Sequence, residues 1–475
     1  MKKFFFFFIS IFISFSYQIN SQCLNTVSTD SNQGGYFDTS GGSWLSTHWY
    51  STGTEGTISH DTDDFYYGTG SLKVDVSSTD DYKNDKVRIW TKSSPCGLTI
   101  QNSQDWNVSF YIKGEIGNVV EFKLIDSESS YSTSIGDASY TIAYNGWHYM
   151  RLKIVTTGAA SSSGGKLRIN FQSTGTYRLD NIVLEQESTF NNWYVSDSNG
   201  NNNNSGTDPN NPFKTLRKAT ISNSNYNGGD IVNVMTGTYY NSNWDGDNNG
   251  TSDNNNAYIS ISSSNVADNN GSVNRPIVIR NYVDSNGTHQ TPTIRFDGSA
   301  GFSLGTAANP ISHAEIAGFT ITGPAASITY SEASSYRTSA VNETYSTTPP
   351  NEDNVNKFNI YHGRGILSWG ASYLNIHNNN VSYCPNSGIR VNNGDFIRIS
   401  NNTVHKNTWW SYNAESGIVL AQSKNISGSG TDNAVIKMRI TNNTSYQNIN
   451  KLPYFNPGYS TNGNCSGGQS DTSYG

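Results

Sequence analysis

Tyr373-Leu-Asn-Ile-His-Asn-Asn-Asn-Val-Ser-Tyr-Cys384 is the stretch whose reading decides the fold, because the chain repeats it. Phe396-Ile-Arg-Ile-Ser-Asn-Asn-Thr-Val-His-Lys-Asn407 follows 23 residues later, with the apolar residues and the Asn-Asn pair in the same places. Val435-Ile-Lys-Met-Arg-Ile-Thr-Asn-Asn-Thr-Ser-Tyr-Gln-Asn448 repeats it once more, and Ile440 answers Ile399 after 41 residues, so one coil carries a long insertion. A Gly-Ile strand precedes each unit: Gly365-Ile-Leu, Gly388-Ile-Arg-Val and Gly417-Ile-Val-Leu. A period of this size marks a stacked repeat. Alternating apolar residues make short strands with one side turned inward. The Asn-Asn pair turns a corner, where asparagines of successive coils stack and satisfy buried backbone. In each coil the Gly-Ile strand comes first, Asp395–Ser400 marks the second strand and Thr403–Lys406 the third. The pattern predicts a right-handed parallel β-helix.

Toward the N-terminus the ladder needs a lid, since the first coil of such a stack would expose its apolar interior. Thr215 to Ile221 predicts a short amphipathic helix in that place. Before Trp193 the character changes. Ser71–Val76, Asn107–Ile112, Tyr149–Ile154 and Lys166–Phe171 alternate with period two and are separated by Gly, Ser and Asp turns. Several such strands predict an antiparallel jelly-roll sandwich. The fold class is therefore all-β: an antiparallel jelly-roll sandwich followed by a right-handed parallel β-helix. The expected division is a signal peptide over 1–22, the jelly roll over 23–188 and the β-helix over 189–475.

Composition agrees. Of 475 residues only 14% are charged while 12% are aromatic, unlike a disordered chain. The net charge of −7 argues against nucleic acid as a partner. Two lysines and an apolar run, Phe4 to Phe15, open the chain as a secretory signal does, and the run is too short to span a bilayer. The expected location is extracellular or at the cell surface, with no membrane span and a monomeric chain. Export permits disulfides among Cys23, Cys96, Cys384 and Cys465, which allow three connectivities. Pairing within each half would join Cys23 to Cys96 and Cys384 to Cys465. The repeat pattern stops mid-coil near Gly475, and further coils are expected beyond it.

Two resemblances refine this reading. Gly35-Tyr-Phe-Asp38, Tyr67-Gly-Thr-Gly-Ser-Leu-Lys-Val74, Trp106–Lys113, Gly146-Trp-His-Tyr149 and Tyr177–Leu184 resemble, in order, the strands of carbohydrate-binding modules of families 4 and 9. That resemblance implies a sugar-binding jelly roll with a structural calcium at the position of Asp180. Trp193-Tyr-Val-Ser, Gly206-Thr-Asp-Pro through Ala219, Gly229-Asp-Ile-Val and Arg275-Pro-Ile-Val-Ile-Arg-Asn-Tyr282 resemble the opening of β-helical polysaccharide lyases and their pectate-lyase-like relatives. That superfamily holds lyases, glycosidases, epimerases and non-enzymes, so it implies fold more strongly than chemistry. In the resembling enzymes substrate runs along the first sheet.

The candidate site follows from that placement. Arg390 stands between inward Ile389 and Val391 and should point out of the first sheet. Arg364 and His362 precede the strand one coil away, and Glu415 precedes the strand one coil on. Trp369, Trp409, Trp410 and Tyr412 offer an aromatic wall. Sugar faces stack on aromatic rings, and carboxylates pair with Arg. Arg390 is expected to act as base or carboxylate clamp, with Arg364 and His362 as partners and Glu415 as calcium ligand or acid. On the jelly roll, Trp44, Trp49, Tyr66, Tyr67 and Trp90 are candidate sugar contacts, whereas Trp106 and Trp147 fit the core. Calcium is expected as a structural ion in the jelly roll, and the lack of a dense Asp cluster beside the groove counts against a catalytic one. The expected function is binding and degradation of a polysaccharide, foremost by β-elimination of an acidic polymer. The alternatives are a β-helical glycosidase and a non-catalytic carbohydrate-binding surface protein.

Overall fold

The computed structural model describes residues 37, 49–52, 55–78, 87–91, 98–126, 134–186, 190–240, 257–264, 266, 271–284, 287–335, 363–411, 415–429 and 435–452. Every described strand before residue 188 lies in an antiparallel sheet, and every one after it in a parallel sheet. The signal segment and Cys23, Cys96 and Cys465 lie outside the described residues.

The antiparallel part is a sandwich. Its six-stranded sheet runs Trp49–Thr52, Arg88–Thr91, Ala160–Phe171, Val119–Ile125 and Ser134–Thr141, with Leu98–Ile100 also on Ala160–Phe171. Its five-stranded sheet runs Gly56–Asp61, Ser71–Val76, Gly175–Gln186, Asp105–Lys113 and His148–Val155. The period-two pattern explains the layering. Leu72, Val74 and Val76 alternate with half-buried Lys73 and Asp75. Phe110 stacks on Phe122 of the opposite sheet at 4.4 Å, and Trp106 is buried in the same core. Each such side chain contributes about 1.5–3 kcal/mol by burial.

The parallel part is a β-helix of three sheets visited in fixed rotation. The first sheet stacks Ile259–Ile261, Ala300–Leu304, Arg364–Trp369, Ile389–Asn392 and Ile418–Ala421. The second holds seven strands, from Asn192–Val195 to Met438–Thr441, and the third six, from Gly237–Tyr240 to Thr444–Tyr446. The register matches the repeat: Asn375 pairs with Arg398 and Arg398 with Arg439. The third strand ends at His405, one residue earlier than expected.

The corner chemistry is visible atom by atom. Asn378, Asn401 and Asn442 take left-handed φ of 54°, 56° and 56°. The following asparagines form a ladder: Asn379 Nδ2 donates to Asn402 Oδ1 at 3.1 Å, and Asn402 Nδ2 to Asn443 Oδ1 at 2.9 Å. A second ladder joins Asn407 Nδ2 to Asn448 Oδ1 at 3.0 Å. One coil earlier the corner reads Gly318-Phe319. A Cβ on Gly318 would sit 1.8 Å from Asn281 Oδ1, and φ there is +78°, so glycine is required.

The cap helix spans Leu216–Ala219, with the Thr215 side chain accepting the Lys218 amide. Leu216 and Ala219 are buried in the helix core, so the capping role is fulfilled. Cys384 is a free, buried thiol in that core, while Cys465, its expected partner, lies outside the described residues. Among the described residues no helix is long and apolar enough to cross a membrane.

The jelly roll is docked on the β-helix rather than loosely tethered. The outer face of its five-stranded sheet, with Tyr111 and Tyr149, packs with Trp147 on Ile231 and Val278. The Tyr149 amide donates to Glu315 Oε2 at 3.0 Å, and Arg280 donates to the Tyr149 carbonyl at 2.9 Å. Asn375 donates to the Trp147 carbonyl at 2.9 Å, and Tyr144 to Asn281 Oδ1 at 2.6 Å. The sandwich thus covers the second sheet and leaves the first sheet on another side of the coil.

Candidate functional site

The first sheet brings Arg364, Arg390 and Glu415 together. Arg364 opens its strand, and Arg390 lies outward between wholly buried Ile389 and Val391. Glu415 enters the next strand along the sheet, Ile418–Ala421. Its Oε1 accepts from Arg364 Nη2 at 2.6 Å and also from Arg390 Nη1. Its Oε2 accepts from the Ser387 hydroxyl, and Arg390 Nε donates to Asn392 Oδ1 at 3.0 Å. The Glu415 side chain is 2% exposed, against 13% for Arg364 and 19% for Arg390. Burial would push the Glu415 carboxyl up, but Arg364, Arg390 and Ser387 together hold it below its ordinary value. Two guanidiniums share one carboxylate, so the group carries a net positive charge.

That geometry corrects two expected roles. Glu415 is an ionised hub, unsuited to deliver a proton as a glycosidase acid. Arg390 donates to two oxygens, a geometry that suits a carboxylate clamp better than a base. His362 and Tyr412 lie outside the described residues.

The aromatic wall is only partly present. Trp369 is 40% exposed at the end of its strand, in register with Asn392. Trp410, expected in the wall, is buried instead, and its indole N–H donates to the Ala325 carbonyl at 2.9 Å. It packs with Ala325, Ala333 and Leu452. Trp409 is half-buried, with the Lys451 ammonium 3.0 Å from its ring centroid, so that face is occupied. The pair anchors the start of the insertion after Pro324 instead of facing substrate.

On the sandwich, Trp44 lies outside the described residues, while Trp49 and Trp90 occupy strand positions in the six-stranded sheet. Trp49 is in register with Thr91, and Trp90 with Arg168. Tyr66 and Tyr67 belong to the junction, not to a sugar face: Tyr66 stacks on Tyr111 at 3.6 Å, and Tyr67 meets Tyr373. Trp147 is buried there too, its indole bound to Asp64 Oδ1 at 2.8 Å. Asp180, the expected calcium ligand, is fully buried, and its Oδ2 accepts the amides of Tyr66 and Tyr67, both at 2.8 Å. Those bonds make it a loop anchor. Among the described residues no three His, Cys, Asp or Glu side chains group together.

Several residues escaped the sequence reading. Ser387 and Asn392 complete the charged group, and their places beside Gly388 and Arg390 were the available signal. Asp297, at the corner leading into Ala300–Leu304, has a carboxyl pushed up by burial. On the second sheet, His313, Tyr373 and Phe396 stack at 4.4 and 4.5 Å. Their shared position in the repeat could have shown this.

No protein-family model matches the chain. No curated protein matches it either. Among solved structures, it is similar to an arabinose-bound α-L-arabinofuranosidase at 11% identity and a TM-score of 0.28, over 32% of this chain and 26% of that one. It is similar to the N-terminal cellulose-binding domain of a Cellulomonas fimi β-1,4-glucanase at 15% identity and a TM-score of 0.24, over 34% of this chain and 98% of that one. It is also similar to a xylan-binding domain from Paenibacillus barcinonensis at 13% identity and a TM-score of 0.23, over 32% and 91%.

Proposed function

We propose that this chain is a secreted protein that binds an acidic polysaccharide along the first sheet of its β-helix and cleaves it by β-elimination. The single observation behind this reading is the Arg364–Glu415–Arg390 group, a largely buried cationic clamp on an outward sheet face. Uronate carboxylates pair with guanidinium groups in fixed geometry. The exposed face of Trp369 offers a sugar ring an apolar platform beside the clamp.

In the elimination a base takes the proton from the carbon that bears the carboxylate. The electron pair forms a carbon–carbon double bond, and the glycosidic oxygen on the neighbouring carbon leaves and takes up a proton. The clamp neutralises the carboxylate and so eases removal of the first proton. Glu415 fixes the two guanidiniums in place, and they serve this step as cations. His362, two residues before Arg364 in the sequence, is the candidate base. Incubation with pectic and algal uronates, read by absorbance of the unsaturated product, tests the reading. Glycosidase action is the second reading, favoured by the raised Asp297 carboxyl. Reducing ends released from a neutral polymer, with no unsaturated product from any uronate, would establish it instead.

A further inference from the structure

We propose that the cleft between the sandwich and the β-helix is a second saccharide site, which takes one sugar unit bearing a negative charge. The cleft has a volume of about 320 Å³. That lies at the lower end of small-molecule sites, roughly 300–1,000 Å³. Asp63, Lys113 and Trp147 line it from the sandwich, and Arg398, Asn401 and Arg439 from the second sheet.

Charge selects the ligand. Arg398 and Arg439 are register partners on adjacent strands, about 4.8 Å apart. Among the described residues neither forms a salt bridge, whereas Lys113 is neutralised by Asp64 at 2.5 Å. The two guanidiniums repel each other, Asp64 and Asp180 offset this only from the sandwich side of Arg398, and an anion held between the pair removes the penalty. Both are fixed in advance. Arg398 donates to the carbonyls of Phe65 and Tyr66 and lies 5.1 Å over the Tyr66 ring. Arg439 lies 4.9 Å over the Phe65 ring. Side chains already ordered lose little freedom on binding.

The remaining lining selects a polyol. Asn375 is 1% exposed and lines the cleft, and its Oδ1 is buried with no hydrogen-bond partner among the described residues. Arg439 Nε is buried and unpartnered in the same way. One acceptor and one donor so placed call for a ligand that carries both hydroxyls and an acidic group. Ser400, Asn401 and Asn442 add hydroxyl and amide groups to the same wall. A bare anion would use the guanidiniums and leave these unused. The inference stands on this cleft and does not depend on the first-sheet reading.

Titration calorimetry of the full chain tests it, with D-glucuronate and D-galacturonate as probes. D-glucose, D-galactose and acetate serve as counterparts lacking charge or hydroxyls. Saturable binding of at least one uronate is expected, tenfold or more tighter than its neutral sugar or acetate. Arg439→Gln should weaken it about tenfold or more. Asn442→Asp, at an exposed position, should also weaken it by placing a negative charge beside the cleft. Arg217→Ala, at an exposed position of the cap helix, should leave it unchanged. Absence of uronate binding would overturn the proposal, as would acetate binding equally well. So would a folded Asn442→Asp or Arg439→Gln variant of undiminished affinity.

Discussion

The main-chain amide of Tyr149, on the sandwich, donates to the carboxylate of Glu315, on the second sheet of the β-helix, at 3.0 Å. Glu315 is 1% exposed, and His377 Nε2 lies 3.6 Å from its other oxygen. A buried carboxylate of this kind ties the two halves together, because separating them would strand its charge. Removing one partner of a buried ionic group costs about 3–5 kcal/mol. Glu315→Ala should therefore lower stability by an amount of that order. Calorimetry of the wild type should show both halves unfolding in one transition. Two transitions far apart would contradict this coupling.

Acid should loosen the same junction. Burial pushes His148 down to about 3 and His313 down to about 4. In the unfolded chain both titrate near 6.5. Between those values the unfolded chain binds protons that the folded chain does not, so stability falls as pH drops below about 6.5. The slope reaches about 1.4 kcal/mol per pH unit for each such histidine. Burial would raise the Glu315 carboxyl, but His377, Arg280 and His148 hold it below its ordinary value. It adds a further loss as pH falls from the ordinary carboxylate range through that lowered value. Tm should drop between pH 7 and pH 4, and less steeply in His148→Gln. A flat profile in the wild type would count against the buried neutral imidazoles.

The asparagine ladder should matter more than its polarity implies. Asn402 accepts the Asn379 amide and donates to Asn443 Oδ1 and to the Ile376 carbonyl. Asn402→Ala orphans buried groups at about 1–3 kcal/mol each. Chemical denaturation should show that loss, against a near-neutral change for Asn425→Ala on an exposed loop.

Burial pushes the Cys384 thiol up, away from its reactive form. In the native protein iodoacetamide should leave Cys384 unmodified, and in denaturant without reductant it should modify it. Peptide mass mapping reads both. Failure to alkylate Cys384 after unfolding would establish a disulfide.

The β-helix was legible because its constraint is local. Each coil must turn residues such as Ile376, Ile399 and Ile440 to one side, and the Asn-Asn corner recurs with them. The outward place of Arg390 followed from the same alternation. Its partner Glu415 was seen as near, but its burial was not, because burial depends on the closeness of three chain segments. Trp410 read as an exposed loop residue because the insertion it covers is distant in sequence. The junction was invisible for the same reason: Tyr149 and Glu315 are 166 residues apart. Nothing in either strand pattern says that the outer face of one sheet is covered by the other half.

The central claim is that Arg364 and Arg390 recognise carboxylates. The most direct measurement compares binding of the full chain to polygalacturonate and alginate with binding to their methyl esters, in wild type and in Arg390→Ala. A charge-assisted carboxylate contact is worth about 1.5–3 kcal/mol, roughly ten- to a hundredfold. The expected result is tighter binding of at least one free acid than of its ester by that factor, and a difference that largely disappears in Arg390→Ala. Equal binding of acid and ester, or a difference that persists undiminished in Arg390→Ala, would contradict it.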